Sequence, residues 1–425
     1  MIAWLLISFF VLLFLGVPIA MSLGLSAMGG ILFLGGGSTV TIAQRMFEGM
    51  NSFALLAIPL YTFAGFTMSK GGISKRLMDF CYSIVGHIYG GLAHVNVLSS
   101  MIFAGISGSA VADTAGVSGM FMPEMIRKGY SKNFTVAVTA ISSTIGIIIP
   151  PSIPMVVIAG ICGISTGKLF LGGIIPGILC GLTQMIVSYF LAKKEGVPKE
   201  PGHFTIGPVL HGLWESWPAL LMPIIIVGTI TMGIVSPTEA GVIAVVYGLF
   251  AGGIIYRELK WEDIKFAFAE TVRTSGRIFI VIGAAKLYTV MLTTAGFDKW
   301  VAKTMLGFST NPTVILIMIL LIFFIVTMFM ESIATLTLFM PILYPIALGV
   351  GINPIMLSVL ITVVIGIGLV TPPVGMCIYV ACDLMDTTVG EVFPTLVPFI
   401  AATFVCIALM VAFPQLILLP TYLMA

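Results

Sequence analysis

The sequence predicts an all-α polytopic membrane protein made of inverted repeats, with two re-entrant helical hairpins and two discontinuous helices. Three observations predict it. Of the 425 residues, 59% are hydrophobic and only 8% are charged, against about a quarter charged in soluble domains, so lipid has to solvate the surface. A double proline recurs in matched surroundings, at Pro150-Pro151 and at Pro372-Pro373. No Lys or Arg follows Lys303, so the loops of the two halves differ in charge.

Apolar stretches lie at 2–24, 78–100, 134–162, 169–192, 218–235, 236–256, 312–330, 354–382 and 392–420. Each is long enough to cross about 30 Å of hydrocarbon as a helix. Hydropathy gives roughly ten to twelve spans or part-spans. The opening "MIAWLLISFFVLLFLGVPIAM" lacks a basic leader and a small-residue cleavage site, which predicts a retained first helix. Basic clusters at 127–132, 193–199 and 257–265 mark the cytoplasmic side. Two crossings fit between successive clusters, the last two joined by a turn at 236–239. In 260–277, Trp261, Ile264, Phe268 and Val272 share one face. That pattern predicts an interfacial helix or a solvated amphipathic connector.

Other function classes fall away. Basic residues do not cluster with aromatics, which excludes nucleic acid. The six cysteines lack CxxC or metal spacing and read as small packing residues. "GISTGKL" (163–169) is one residue short between its glycines for a phosphate loop, and no Ser/Thr follows its Lys. The four histidines form no zinc pattern.

The repeat is legible at three points. Gly146-x-x-x-Pro150-Pro151 and Gly368-x-x-x-Pro372-Pro373 lie 222 residues apart. "GMFMPEM" (119–125) and "TLFMPIL" (337–343) lie 218 apart. Ten residues before each Phe-Met-Pro proline stand Asp113 and Glu331, which predicts equivalent places for the two carboxylates. The loop following the first motif is basic and that following the second (344–354) has no Lys or Arg, so they face opposite sides and the repeats are inverted. Inverted repeats with broken helices mark secondary transporters.

Prolines at 150 and 151 free carbonyls near Gly146 and Ile147, suited to a hard cation such as Na+. The half-helix beyond offers its amino end to an anion. "AGISGSAVADTAG" (104–116) reads as a hairpin tip, with Ser107 and Ser109 capping the second arm and offering oxygens, and Asp113 in its first turn. Small-residue helix packing is the alternative for this run. In the second repeat Glu331, Ser332 and Thr335 face Gly368 and Thr371. Ionisable residues at membrane depth are functional candidates; Asp113 and Glu331 can also be structural, paired with a hydroxyl or an amide. Lys286 reads as a substrate charge, a snorkelling residue or a partner of a scaffold carboxylate.

Residues 105–155 and "GIGLVTPPVGM" (366–376) resemble the large membrane subunit of tripartite ATP-independent periplasmic (TRAP) transporters, over nearly the whole chain. The resemblance implies an elevator-type fold, with a scaffold and a transport domain. Scaffold helices at 1–77, a first transport repeat at 78–199, scaffold and connector helices at 200–305 and a second transport repeat at 306–425 are expected. It implies Na+-coupled uptake of an organic acid, of sialic-acid or C4-dicarboxylate type, across the bacterial inner membrane. A periplasmic binding protein would deliver the acid, and a separate small four-helix membrane subunit would complete the scaffold. A self-sufficient Na+/anion symporter of related fold is the alternative. By position, a first Na+ site takes Ser107, Ser109, Gly146, Ile149 and Pro151. A second takes Glu331, Thr335, Gly368, Thr371 and Met376. Asp113, Pro150, Ser152 and Pro372 lie towards the substrate. Many members carry Asp where this chain has Glu331, and Asn where it has Val364.

Overall fold

The computed structural model describes residues 1–35, 38–197 and 205–423. Every regular element among them is helical. Seven helices are long and apolar enough to cross a membrane, and shorter apolar helices accompany them. Phe14, Phe190, Trp214, Ile224 and Phe250 stay exposed on outer faces, as expected where hydrocarbon is the solvent.

Helix starts follow local chemistry. Ser109, Ser131, Ser152, Ser165, Asn311 and Asn353 each accept a backbone N–H at a helix amino end. Such caps serve donors that lipid cannot. Ser236 and Glu239 form a reciprocal capping box, which places the turn expected at 236–239.

Several stretches depart from the expected elements. Residues 2–24 divide into Ile2–Phe14 and Ile19–Leu34, because Gly16 adopts φ 80° and Pro18 removes a donor just before the second helix. Residues 78–100 divide into Ile73–Val85 and Gly91–Ser107, with Gly90 at φ 74° between them. Residues 260–277 are no separate surface helix. They begin the continuous helix Trp261–Thr294, 34 residues long, or about 51 Å at 1.5 Å per residue. Gly276 alone does not stop it, since one interior glycine costs only about 1 kcal/mol. Trp261, Phe268 and Val272 are exposed as expected.

Ala57–Lys70, Pro237–Phe250 and Trp261–Thr294 pack together, with Thr39–Met50 on the last. At the basic end Arg76 donates to Glu258 at 2.6 Å and lies 4.2 Å from the Tyr256 ring centroid. The first hairpin is Gly91–Ser107 and Ala110–Arg127. The first broken helix is Lys132–Ser143, a 3-10 turn Thr144–Ile147, then Ile153–Cys162. The second hairpin is Pro312–Thr327 and Ser332–Gly349. The second broken helix is Pro354–Gly368 and Met376–Met385. Thr166–Lys194 and Val389–Ala412 pack on each other beside them.

Residues 77 and 78 both fall inside Ile73–Val85, and 305 and 306 inside Phe297–Phe308. The division at 199/200, the end of the 193–199 cluster and His203 lie outside the described residues.

Candidate ion and substrate site

The first hairpin tip rests on the first break. Gly108 closes the tip at φ 67°, and a Cβ there would sit 2.6 Å from the Pro151 carbonyl oxygen. Only glycine meets both demands. The Gly108 carbonyl accepts the Ile153 amide at 3.2 Å. Tip and break are thereby tied by backbone alone. Gly105 abuts Pro223 of the helix Ile206–Thr231, and Gly65 of Ala57–Lys70 abuts Ser107.

Asp113 is fully buried in the first turn of the second arm. Its Oδ1 accepts the Ser107 hydroxyl, while its Oδ2 has no hydrogen-bond partner. That free oxygen lies over Gly146, where any Cβ would overlap it. Ser109 caps the arm through the Ala112 amide, at 3.4 Å. Ser107 instead ends the first arm and holds Asp113. The prolines at 150 and 151 leave the carbonyls of Gly146 and Ile147 without their usual donors. Ser152 recaptures that of Ile147, at 2.5 Å, and caps the following half-helix through Met155. The Pro150 and Pro151 carbonyls lie towards Gly105 and Gly108. The Ile149 side chain turns the other way, onto Gly177.

The second hairpin repeats the plan with more internal closure. The Met328 carbonyl accepts the Val374 amide at 3.0 Å. Glu331 is the amino cap of the second arm. It accepts the Ile333 and Ala334 amides at 2.9 and 3.4 Å and the Ser332 hydroxyl at 2.7 Å. Thr335 donates to the Glu331 carbonyl at 3.1 Å, and Thr371 to that of Ile367 at 2.7 Å. The carbonyls freed by Pro372 and Pro373 are taken by the amides of Thr371 and Cys377. Gly368 lies tight against Thr327. Met376 opens the last half-helix with its side chain partly exposed.

The capping register corrects the expected equivalence of the carboxylates. Ser109 and Glu331 are both caps, so Asp113 corresponds to Thr335, four residues beyond each. This pairing keeps the 222-residue offset of the double prolines; the Phe-Met-Pro motifs, 218 apart, are displaced by about one helical turn. Glu331→Ala is therefore expected to lower stability by about 1–2 kcal/mol through the lost cap, and Glu331→Gln by much less, in thermal unfolding of the purified protein.

The two halves meet at the centre. Gly366 packs on Thr144, joining the broken helices. Cys377 is fully buried on the half-helix Met376–Met385, which packs against the arm that carries Asp113 and Thr114. The sequence marked neither Thr114 nor Cys377; the only signal is Cys377's place four residues after the second double proline. Among the described residues no three His, Cys, Asp or Glu side chains gather into a transition-metal site. The oxygen donors present, carboxylate, hydroxyl and carbonyl, are those a hard cation takes.

Residues 6–416 match the sequence model of the tripartite ATP-independent periplasmic transporter, DctM component. The chain is 37% identical to the isethionate TRAP transporter permease protein of Oleidesulfovibrio alaskensis, over 92% of this chain and 62% of that protein's length. It is 35% identical to the sialic acid TRAP transporter large permease protein of Vibrio cholerae, over 96% of this chain and 95% of that one. The C4-dicarboxylate TRAP transporter large permease protein of Pseudomonas aeruginosa is also 35% identical, over 95% and 94%. In fold, the chain resembles the YdaH transporter of Alcanivorax borkumensis, with a TM-score of 0.59 at 13% identity over 87% and 86% of the two chains. The polytopic helical architecture, the paired hairpins on broken helices and the near-complete family match agree: the chain belongs to the DctM-component family of tripartite ATP-independent periplasmic transporters, as a multi-pass transport protein of the bacterial inner membrane rather than an enzyme.

Proposed function

We propose that the chain is the transport subunit of a Na+-coupled uptake system for an organic acid. One observation carries the reading: a buried carboxylate, Asp113, keeps one oxygen without a partner beside a helix break that leaves the Gly146 carbonyl without its usual donor. A buried anionic oxygen of this kind demands a cation or a donor. Na+ would lie among Asp113, Ser107, Ser109 and the backbone at Gly146 and Pro151, a set that includes a residue first expected towards the substrate. A second Na+ would use Thr335, Thr371 and Gly368, with Glu331 acting there first as a cap. The amino end of Ile153–Cys162 would receive the anionic substrate.

The relatives are named for isethionate, sialic acid and C4-dicarboxylates. Their shared chemistry is a small organic anion, which is the substrate class proposed here. A periplasmic binding protein would deliver it, and a small four-helix membrane subunit would complete the scaffold. The hairpins and broken helices would travel as one body against the helices around Trp261–Thr294.

Uptake by proteoliposomes with a Na+ gradient, with and without the binding protein, tests this reading. Full-rate uptake of free substrate without the binding protein would sink the tripartite assignment. Ser107→Ala and Thr371→Ala are each expected to raise the Na+ concentration for half-maximal uptake by about tenfold, as for a lost bond to a charged group. An unchanged Na+ response in both would remove the assigned sites.

A further inference from the structure

A cavity of about 200 Å³ lies between the helix Phe297–Phe308 and the second hairpin. Phe297, Val301 and Met305 form one wall, and Ile322, Phe339 and Leu343 the other. Its floor is buried at Met305, Ile342 and Leu343, and its rim is exposed at Trp300. Thr304 is the sole polar residue in the lining, and its hydroxyl already donates to the Trp300 carbonyl at 2.9 Å. Water in such a space would lack the two to four polar partners it needs. An apolar occupant fits instead.

The setting says which. Helix Trp261–Thr294 starts beside the cytoplasmic basic cluster and crosses once, so Phe297–Phe308 lies at the opposite, periplasmic interface. On that helix Lys299 and Lys303 are exposed, one turn apart, and pair with no acid among the described residues, Asp298 included. A tryptophan rim and two lysines at an interface match an anionic headgroup above an acyl chain. We propose that the cavity holds one acyl chain of an anionic glycerophospholipid of the periplasmic leaflet, with its phosphate at Lys299 and Lys303. Because the cavity lies between the connector and a hairpin arm, the lipid would be part of the seam across which the hairpin shifts.

The test uses the full chain in phosphatidylcholine vesicles with a trace of phosphatidylglycerol bearing a photoactivatable group in mid-chain. Crosslinks are expected to concentrate on peptides covering 297–305 and 339–343, severalfold above those on the exposed face of Ile206–Thr231. Val301→Trp should remove most of this labelling, and Lys299→Gln with Lys303→Gln should reduce it to the level of a phosphatidylcholine probe. Competition by unlabelled phosphatidylglycerol on the unaltered protein gives the same answer without a variant. Labelling no stronger than on Ile206–Thr231, or equal labelling by the phosphatidylcholine probe, would overturn the proposal.

Discussion

Asp113→Asn is expected to abolish Na+-driven uptake while the protein remains folded. Asparagine has the same shape, and its carbonyl oxygen can still accept the Ser107 hydroxyl that holds Asp113. What disappears is the charge on the oxygen that has no protein partner. Losing one side of a buried ionic contact costs about 3 kcal/mol or more, which is about a hundredfold in affinity. Uptake should fall accordingly, and Na+ should raise the thermal unfolding temperature by less than in the unaltered protein, through the second site alone. Uptake at the unaltered rate would show that Asp113 is structural.

Gly146→Ala is expected to reach the same loss through space alone. The added methyl group would overlap the free Asp113 oxygen, and Gly146 itself is buried. Overpacking a rigid interior costs about 1–3 kcal/mol, so both uptake and thermal stability should drop. Gly116→Ala supplies the control. It lies on the same arm as Asp113, and its added methyl group meets nothing within 4 Å. Its stability should stay level or rise by up to about 1 kcal/mol. Equal uptake by both glycine variants would break the link between Gly146 and the site.

Much of this design was legible in the residues. Composition required lipid, and both double prolines sit at real breaks because their missing donors forbid a continuous helix. Ser109 announced the start of an arm through its capping chemistry. Other features were hidden for physical reasons. A hydropathy average cannot see Gly16 and Pro18, so two short helices looked like one. A shift of one helical turn leaves the same face of an arm inward. The Phe-Met-Pro motifs could therefore match while the carboxylates did not. The role of Glu331 as a cap depends on where its arm begins, which the neighbouring apolar residues do not declare. The arm carrying Thr114 and the half-helix carrying Cys377 meet only because distant segments converge.

The glycines at 65 and 105 carry a mechanical consequence. Helices usually lock by seating the ridges of one in the grooves of the other. Here Gly65 presents bare backbone to Ser107, and Gly105 does so to Pro223. Nothing projects from the glycine side of either contact, so its partner sits flush against the backbone. If the first hairpin travels as proposed, a methyl group added at either glycine would act as a stop: at 105 it would meet the Pro223 ring, and at 65 the Ser107 backbone.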